Sequence, residues 1–192
     1  GVYLLYADCI SLAAHSNITI RLTDTHDLTT ERLYISSHDT GNSVKAILFQ
    51  DSVTFVRFTS LNVLPGYLLV GKLLEVINKY KINVISMASS NVSISMVISA
   101  SPDTLRIVQK ELHKYAEMVI DENMSVIHII GSLHWQRTQV ESHIMNTIKD
   151  IPISQISYGG SDQCFTLSVH TTDKNRLISL LAAHFFENEF AT

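Results

Sequence analysis

The sequence lacks the short motifs that mark many enzymes. It contains no G-x-S-x-G, H-E-x-x-H, C-x-x-C or G-x-G-x-x-G pattern, which argues against serine hydrolases, zinc proteases, thioredoxin-like oxidoreductases and dinucleotide-binding enzymes. Nine histidines are scattered along the chain, and no recognised motif combines one of them with a nucleophile. We therefore predict no catalytic residue and no metal ligand, and we interpret His128 as a hydrogen-bonded sheet histidine.

Long apolar runs, excess charge and cysteines are also scarce. No run approaches the roughly 20 apolar residues that span a bilayer, so no membrane segment is expected. A net charge of −4 without a basic stripe argues against a nucleic-acid partner. The two cysteines are far apart in sequence, which favours reduced thiols and a cytoplasmic location. An apolar content of 46% allows a sizeable core in one or two domains.

The hydrophobic pattern predicts a strand, a helix and two further strands between residues 53 and 99. Pro65 and Gly66 open the helix, where proline is favoured because the amide it lacks would be unpaired. Leu73 and Ile77 recur at helical spacing, and residues 92–99 alternate between apolar side chains and serine, as in a strand with one wet face. A helix beginning near Ser101 and a strand at 117–120 complete a βαββαβ unit.

The pattern repeats at an offset of 71 positions. Leu73, Ile77, Ile82 and Ile85 correspond to Ile144, Ile148, Ile153 and Ile156, which indicates an internal repeat. The second copy comprises strands at 125–130, 153–158 and 165–169, with helices at 136–149 and from Thr172. It lacks a final strand, and a separate strand predicted at 44–49 could pair with it and cover the open edge. Residues 4–15 predict a helix, and residues 18–22 and 33–36 predict strands.

Several passages resemble the regulatory region of aspartate kinases. The first repeat contains TSLNVL (59–64), GKLLEVINKYKINV (71–84) and SSNVSISMVIS (89–99), and the second contains IIGSLHWQ (129–136), QISYGGSDQCFTLSV (155–169) and HFFE (184–187). Similar passages in that family are an SLNM turn, an ILxxHxISVD helix-to-strand passage and a TTSEVSVAL hairpin. The chain is therefore similar to the C-terminal tandem ACT region of an aspartate kinase, in particular the lysine-sensitive type.

The resemblance implies an α+β fold of two ferredoxin-like βαββαβ (ACT) units. Each unit has an antiparallel sheet with helices on one face, and the first unit is inserted in the second. The implied division is the tail of a catalytic domain and linker (1–43), a first ACT unit (52–123) and a second ACT unit (44–51 plus 124–190).

The resemblance also implies the function of the parent protein. Aspartate kinases phosphorylate the aspartate β-carboxylate with ATP and Mg²⁺, towards lysine, threonine and methionine. The phosphate-binding segment has no counterpart here, so no cofactor is expected in this chain. The implied role is allosteric: an amino-acid effector binds, and the ACT units form a homodimer. A free-standing amino-acid sensor or dimerisation module is the alternative.

The expected effector site combines a helix N-terminus, whose free amides attract a carboxylate, with the following strand and its turn. Carried over from the family, the effector-binding positions are Val63, Gly66, Tyr67, Leu69, Asn83, Val84, Ile85, Ser89, Ser90 and Asn91. Ile85 and Asn91 stand where the lysine-sensitive pattern has acids. Without those acids the side-chain ammonium group of lysine would lack charge partners, so the sequence argues against classical lysine inhibition. Of the effectors threonine and lysine, a neutral one such as threonine is favoured, and a weak site or a purely structural pair of units are the alternatives.

Overall fold

The computed structural model describes residues 7–22, 33–35, 44–61, 65–133 and 138–187. Residues 1–42 and residues 43–192 form two compact units. In the first unit, helix α1 (Ala7–His15) precedes strands β1 (Ile20–Leu22) and β2 (Leu33–Ile35), which pair antiparallel with Ile20 opposite Ile35. The predicted helix and both predicted strands are confirmed where the structure describes them.

The described part of the second unit contains one antiparallel sheet and four α-helices. The sheet order is β4-β5-β3-β6-β8-β7. In chain order the elements are β3 (Val44–Ser60), α2 (Gly66–Lys79), β4 (Asn83–Ser89), β5 (Ser93–Ser99), α3 (Pro102–Leu112), β6 (Ala116–Gly131), α4 (Thr138–Thr147), β7 (Gln155–Ser157), β8 (Cys164–His170) and α5 (Thr171–Ala182), followed by a π-helical turn at Ala183–Glu187. None of the described helices is both long and apolar enough to cross a bilayer.

Strands β3 and β6 are longer than the sequence predicts. They contain 17 and 16 residues, whereas the hydrophobic pattern predicts two short strands in place of each. The predicted separation of the two sheets is therefore wrong. Ser52 has a positive φ of 57°, and the register shifts between Gln50 and Val53. Such a bulge bends a strand without ending it.

The two long strands divide the sheet into two similar halves. In the first half (residues 53–122), the order is β4-β5-β3-β6, and in the second half (residues 44–50 with 124–182) it is β3-β6-β8-β7. Leu48 pairs with His128 and Phe49 with Ile127, which confirms the predicted pairing of residues 44–49 with the second repeat. Each half thus has the fourth, first, third and second strands of a βαββαβ unit side by side.

Each half has its own hydrophobic core under two helices. In the first half, α2 and α3 cover the sheet, and Leu73, Leu105 and Ile94 are among the buried residues. In the second half, α4 and α5 contribute Ile144 and Leu177 to an equivalent core. The repeat positions Leu73 and Ile144 are both fully buried. This agrees with the offset between the two copies.

A third, smaller cluster lies on the sheet face opposite the helices. Its buried members come from β3, β5 and β6 and are Val53, Phe55, Val97, Met124 and Val126. Ile85 of β4 packs against this cluster, since its neighbour Val84 packs on the opposite face against the core of the first half. Ile156, its counterpart in the repeat, packs against the core of the second half. The sheet curls around this inner cluster, so that the edge strands β4 and β7 contact each other.

Candidate functional site

Helix α2 begins without a capping side chain. Pro65 precedes it, and no acidic residue lies in its first turn. The Pro65 carbonyl accepts the amides of Leu68 and Leu69 at 2.9 and 3.1 Å, which leaves the amides of Gly66 and Tyr67 without acceptors among the described residues. Free amides and the helix dipole give this end partial positive charge, which favours a carboxylate ligand.

The turn between β4 and β5 faces this helix end and is held by Ser90. The Ser90 amide donates to the Ser93 carbonyl at 2.8 Å, and the Ser90 hydroxyl oxygen accepts the Ser93 amide at 3.1 Å. Ser90 therefore maintains the shape of the turn. The Ser89 hydroxyl and the Asn91 side-chain amide make no hydrogen bond to the described residues, so both are available to a ligand.

Gly66 brings the helix and the turn into close contact. A Cβ atom built on Gly66 would lie 2.4 Å from the Asn91 carbonyl oxygen, well inside van der Waals contact. The obstacle is backbone, so no side-chain rotation could relieve it. Only glycine therefore allows the first turn of α2 to approach the β4–β5 turn this closely.

These two elements line a half-open cavity of about 490 Å³. It is lined by Gly66, Tyr67, Val70, Ser89, Ser90 and Asn91. The free amides lie at one side, neutral hydrogen-bonding groups lie opposite, and Val70 supplies apolar surface. No acidic residue belongs to the described lining. The cavity therefore suits a small ligand that has a carboxylate and an uncharged side chain.

The structure brings together half of the predicted site residues. Gly66, Tyr67, Ser89, Ser90 and Asn91 line the cavity, whereas the other predicted positions are placed as follows. Leu69 is buried in the core of the first half, Val84 packs against that core, Ile85 packs against the inner cluster, and Asn83 is exposed outside the cavity. Val63 lies outside the described residues. Whether any of these positions binds an effector stays a prediction.

Sequence reasoning missed Val70, which lines the cavity. Its signal is the helical period, because Val70 lies four positions after Gly66 on the same helix face. The cations of α2 are paired elsewhere: Lys72 contacts Glu75 at 2.8 Å, and Lys79 contacts Glu111 at 2.9 Å. Hydrogen bonds from Lys79 and Tyr80 hold the pKa of Glu111 below its ordinary value.

A second cavity, of about 510 Å³, lies where β3 and β6 bend between the halves. Asp51 at its edge accepts hydrogen bonds from Ser125 and Lys174, each at 2.7 Å. These two bonds, with Lys174 first, hold the pKa of Asp51 below its ordinary value of 3.8. The carboxylate thereby ties β3 to β6 and α5, and its partners leave it a structural rather than a reactive group.

His128 is a partly buried histidine of β6 that forms a side-chain hydrogen bond to the neighbouring strand β8. Its Nδ1 lies 3.0 Å from the Thr166 hydroxyl and 3.9 Å from the Cys164 sulphur, which confirms the predicted hydrogen-bonded sheet histidine. Burial lowers its pKa below the ordinary 6.5, so the ring is neutral near pH 7. Within the described ranges, no three potential ligands from histidine, cysteine, aspartate or glutamate come together to hold a metal.

Comparison with known proteins identifies the relatives of this arrangement. No family model matches the chain. The chloroplastic aspartokinase 3 of Arabidopsis thaliana is 26% identical over 201 residues, which cover 98% of this chain and 36% of the plant protein. A C-terminal regulatory domain of aspartate kinase from Porphyromonas gingivalis is 28% identical with a TM-score of 0.68, and the match covers 76% of this chain and 99% of that one.

The chain is homologous to the regulatory region of aspartate kinases. Aspartokinase III of E. coli, solved with aspartate and ADP, has the same fold, with a TM-score of 0.81 at 18% identity over 97% of this chain and 43% of that one. The predicted resemblance to aspartate kinases is thus confirmed, while the lysine-sensitive type stays a prediction. The chain spans about a third of the plant aspartokinase, 36% of its length.

Proposed function

We propose that this chain is the regulatory part of an aspartate kinase and that it binds an amino-acid effector between α2 and the β4–β5 turn. The observation that carries the proposal is the cavity itself, which joins the uncapped N-terminus of α2 to the free Ser89 and Asn91 side chains. In the parent protein, a catalytic domain would transfer phosphate from ATP, with Mg²⁺, to the aspartate β-carboxylate.

The lining of the cavity favours an effector with a neutral side chain. Lysine differs from threonine in its side-chain ammonium group. This second positive charge would need a carboxylate partner, since a charge removed from water without one is costly. Asn91 is neutral, Ile85 faces the inner cluster, and the described lining contains no acid. Threonine therefore fits better than lysine, although an E. coli relative is solved in complex with lysine and aspartate.

We infer further that the first ACT unit is inserted in the second and that two copies of the chain form a homodimer. The pairing of β3 supports the insertion, because residues 44–50 precede the first repeat and pair with β6 in the second. Exposed Tyr67, Leu68 and Leu74 on α2 offer apolar surface for a second copy. The domain boundaries and a cytoplasmic location stay predictions.

A free-standing regulatory chain is the second candidate function. A Thermus thermophilus protein of the same fold is described as the regulatory subunit of aspartate kinase. A chain of this kind would bind the same effector and act on a kinase present as a separate protein. Kinase assays with and without a separately purified catalytic subunit would distinguish it from a fused regulatory region.

Isothermal titration calorimetry with threonine, lysine and methionine in turn tests the proposal. We expect heat with threonine and none with lysine. Asn91→Asp would add a carboxylate at the cavity and should strengthen lysine binding by about tenfold or more, since a charged hydrogen bond contributes roughly 1.5–3 kcal/mol. Ser99→Ala, outside the cavity, is the control. The absence of heat with all three amino acids would contradict effector binding and favour a structural role.

A further inference from the structure

Strand β4 connects the cavity to the second half of the molecule. Its final residue, Ser89, lines the cavity together with the turn that follows. Farther back along the strand, Ser86 is buried on the same sheet face as the inner cluster, opposite Val97. The strand also contacts β7 of the second half. A displacement of β4 at the cavity would therefore change its contact with β7.

The contact between the halves near β4 and β7 contains polar side chains, and some of their buried atoms have no hydrogen-bond partner among the described residues. Gln155 of β7 is 6% exposed and Ser168 of β8 is 1% exposed, and the two lie opposite each other in the ladder. The Gln155 Nε2 donates to the Ser95 carbonyl at 3.5 Å, at the upper limit for a hydrogen bond. Gln155 Oε1 and Ser168 Oγ are buried and have no hydrogen-bond partner among the described residues.

Buried polar groups without partners weaken the contact that contains them. Each one loses its water without regaining a hydrogen bond, so its burial opposes the closed arrangement. On the other side, the halves share β3 and β6, whose ladders run through both. The halves are thus firmly joined along two strands and weakly joined where Gln155, Ser168 and Ser95 meet. We call these three residues the polar seam.

We propose that the polar seam is the movable contact through which a ligand in the cavity changes the arrangement of the two halves. This inference rests on the proposed function of the cavity. A ligand that engages Ser89 and Asn91 fixes the end of β4, and the position of β4 and its partner β5 determines whether Ser95 stays within reach of Gln155. The ligand shifts the balance only by its different affinity for the closed and parted seam.

Hydrogen exchange of the 192-residue chain, read by mass spectrometry, tests the inference. In the variant Gln155→Leu with Ser168→Ala, an apolar contact replaces the seam. We expect amides of β7 to exchange about tenfold more slowly than in the wild type, because the strand opens less often. If the double variant does not fold, the same slowing of β7 exchange is measured on the single variant Ser168→Ala. Gln109→Leu on the exposed face of α3 is the matched control and should leave β7 exchange unchanged.

The second arm adds threonine, lysine and methionine separately at saturating concentration. The amino acid that gives calorimetric heat should change β7 exchange in the wild type but not in the double variant. Heat without any response of β7 overturns the inference and leaves the proposed function standing. An unchanged β7 exchange in the ligand-free seam variants also overturns it. No heat from any amino acid overturns the proposed function and this inference together, so the two failures are distinguishable.

Discussion

At the scale of single residues, the cavity depends on one position without a side chain. Gly66 begins α2 and lies against the backbone of Asn91, so the space that a methyl group would need is already filled. The sequence shows only a glycine after a proline, a pattern typical of many helix starts. It does not show that a turn 25 positions later packs against that glycine, because this proximity comes from the pairing of β3 and β4 with β5.

We predict that Gly66→Ala destabilises the chain by about 1–3 kcal/mol, as expected for overpacking against a rigid neighbour. It should also abolish effector binding, because the helix must move away from the turn. Urea unfolding and calorimetry measure the two effects. The matched control is Gly71→Ala, since a Cβ atom at Gly71 meets nothing within 4 Å. That change should stabilise the helix by up to about 1 kcal/mol. Equal effects of the two substitutions would contradict the close contact at Gly66.

At the scale of elements, the helices follow the sequence pattern closely and the strands do not. Helical spacing predicted the buried faces of α2 and α3 because a core-facing helix repeats its apolar side every 3.6 residues. The hydrophobic pattern divides β3 in two at the polar residues Gln50, Asp51 and Ser52, and it divides β6 at Asp121, Glu122 and Asn123. In the structure, Asp51 is held by Ser125 and Lys174 and Ser52 adopts a positive φ. These are contacts between distant segments that no local pattern contains.

Ile85 shows the same limit within one element. Ile85 occupies the repeat position of Ile156, which packs against the core of the second half. In β4, Val84 packs against the core of the first half, so Ile85 lies on the opposite face against the inner cluster. Of the site, the helix start and the β4–β5 turn could be predicted from motifs. Residues such as Leu69 and Val84 could not be sorted into cavity and core without the register.

Equivalent helices of the two repeats should contribute independently to stability. We predict that Leu73→Ala and Ile144→Ala each cost about 2–5 kcal/mol, because both side chains are fully buried. They belong to different cores, so the double variant should equal the sum within about 0.5 kcal/mol. Urea unfolding of the single and double variants measures this. Leu74→Ala, at a position 45% exposed, is the control, and a coupling well above that limit would mean that the cores are continuous.

At the scale of the whole molecule, the bend between the halves makes stability depend on pH. Lys174 and Ser125 stabilise the charged form of Asp51, which is why its folded-state pKa lies below 3.8. The stabilisation by Asp51 is therefore fully present when the pH is above the pKa of this carboxyl group in the unfolded chain. It is lost as the pH falls through the lower pKa of the folded state. The ion pair joins β3 to α5, so its loss should lower the stability of both halves.

We therefore predict that Asp51→Asn lowers stability at pH 7 and makes the loss of stability below about pH 4 shallower than in the wild type. Urea unfolding between pH 3 and pH 7 measures both effects. Asp150→Asn, at an exposed position, controls for the removal of one carboxylate. A variant whose pH profile runs parallel to that of the wild type would show that Asp51 contributes nothing to acid sensitivity.

The two shared strands also determine how the chain can be divided. Residues 44–50 precede the first repeat but pair with residues 126–131 of the second. A truncation after residue 123 would remove their partner and leave an unpaired edge, which invites aggregation. A fragment beginning at residue 124 would lack its outermost strand. No single peptide-bond cleavage releases two intact halves, so expression of either repeat alone requires transplanting a strand rather than choosing a boundary.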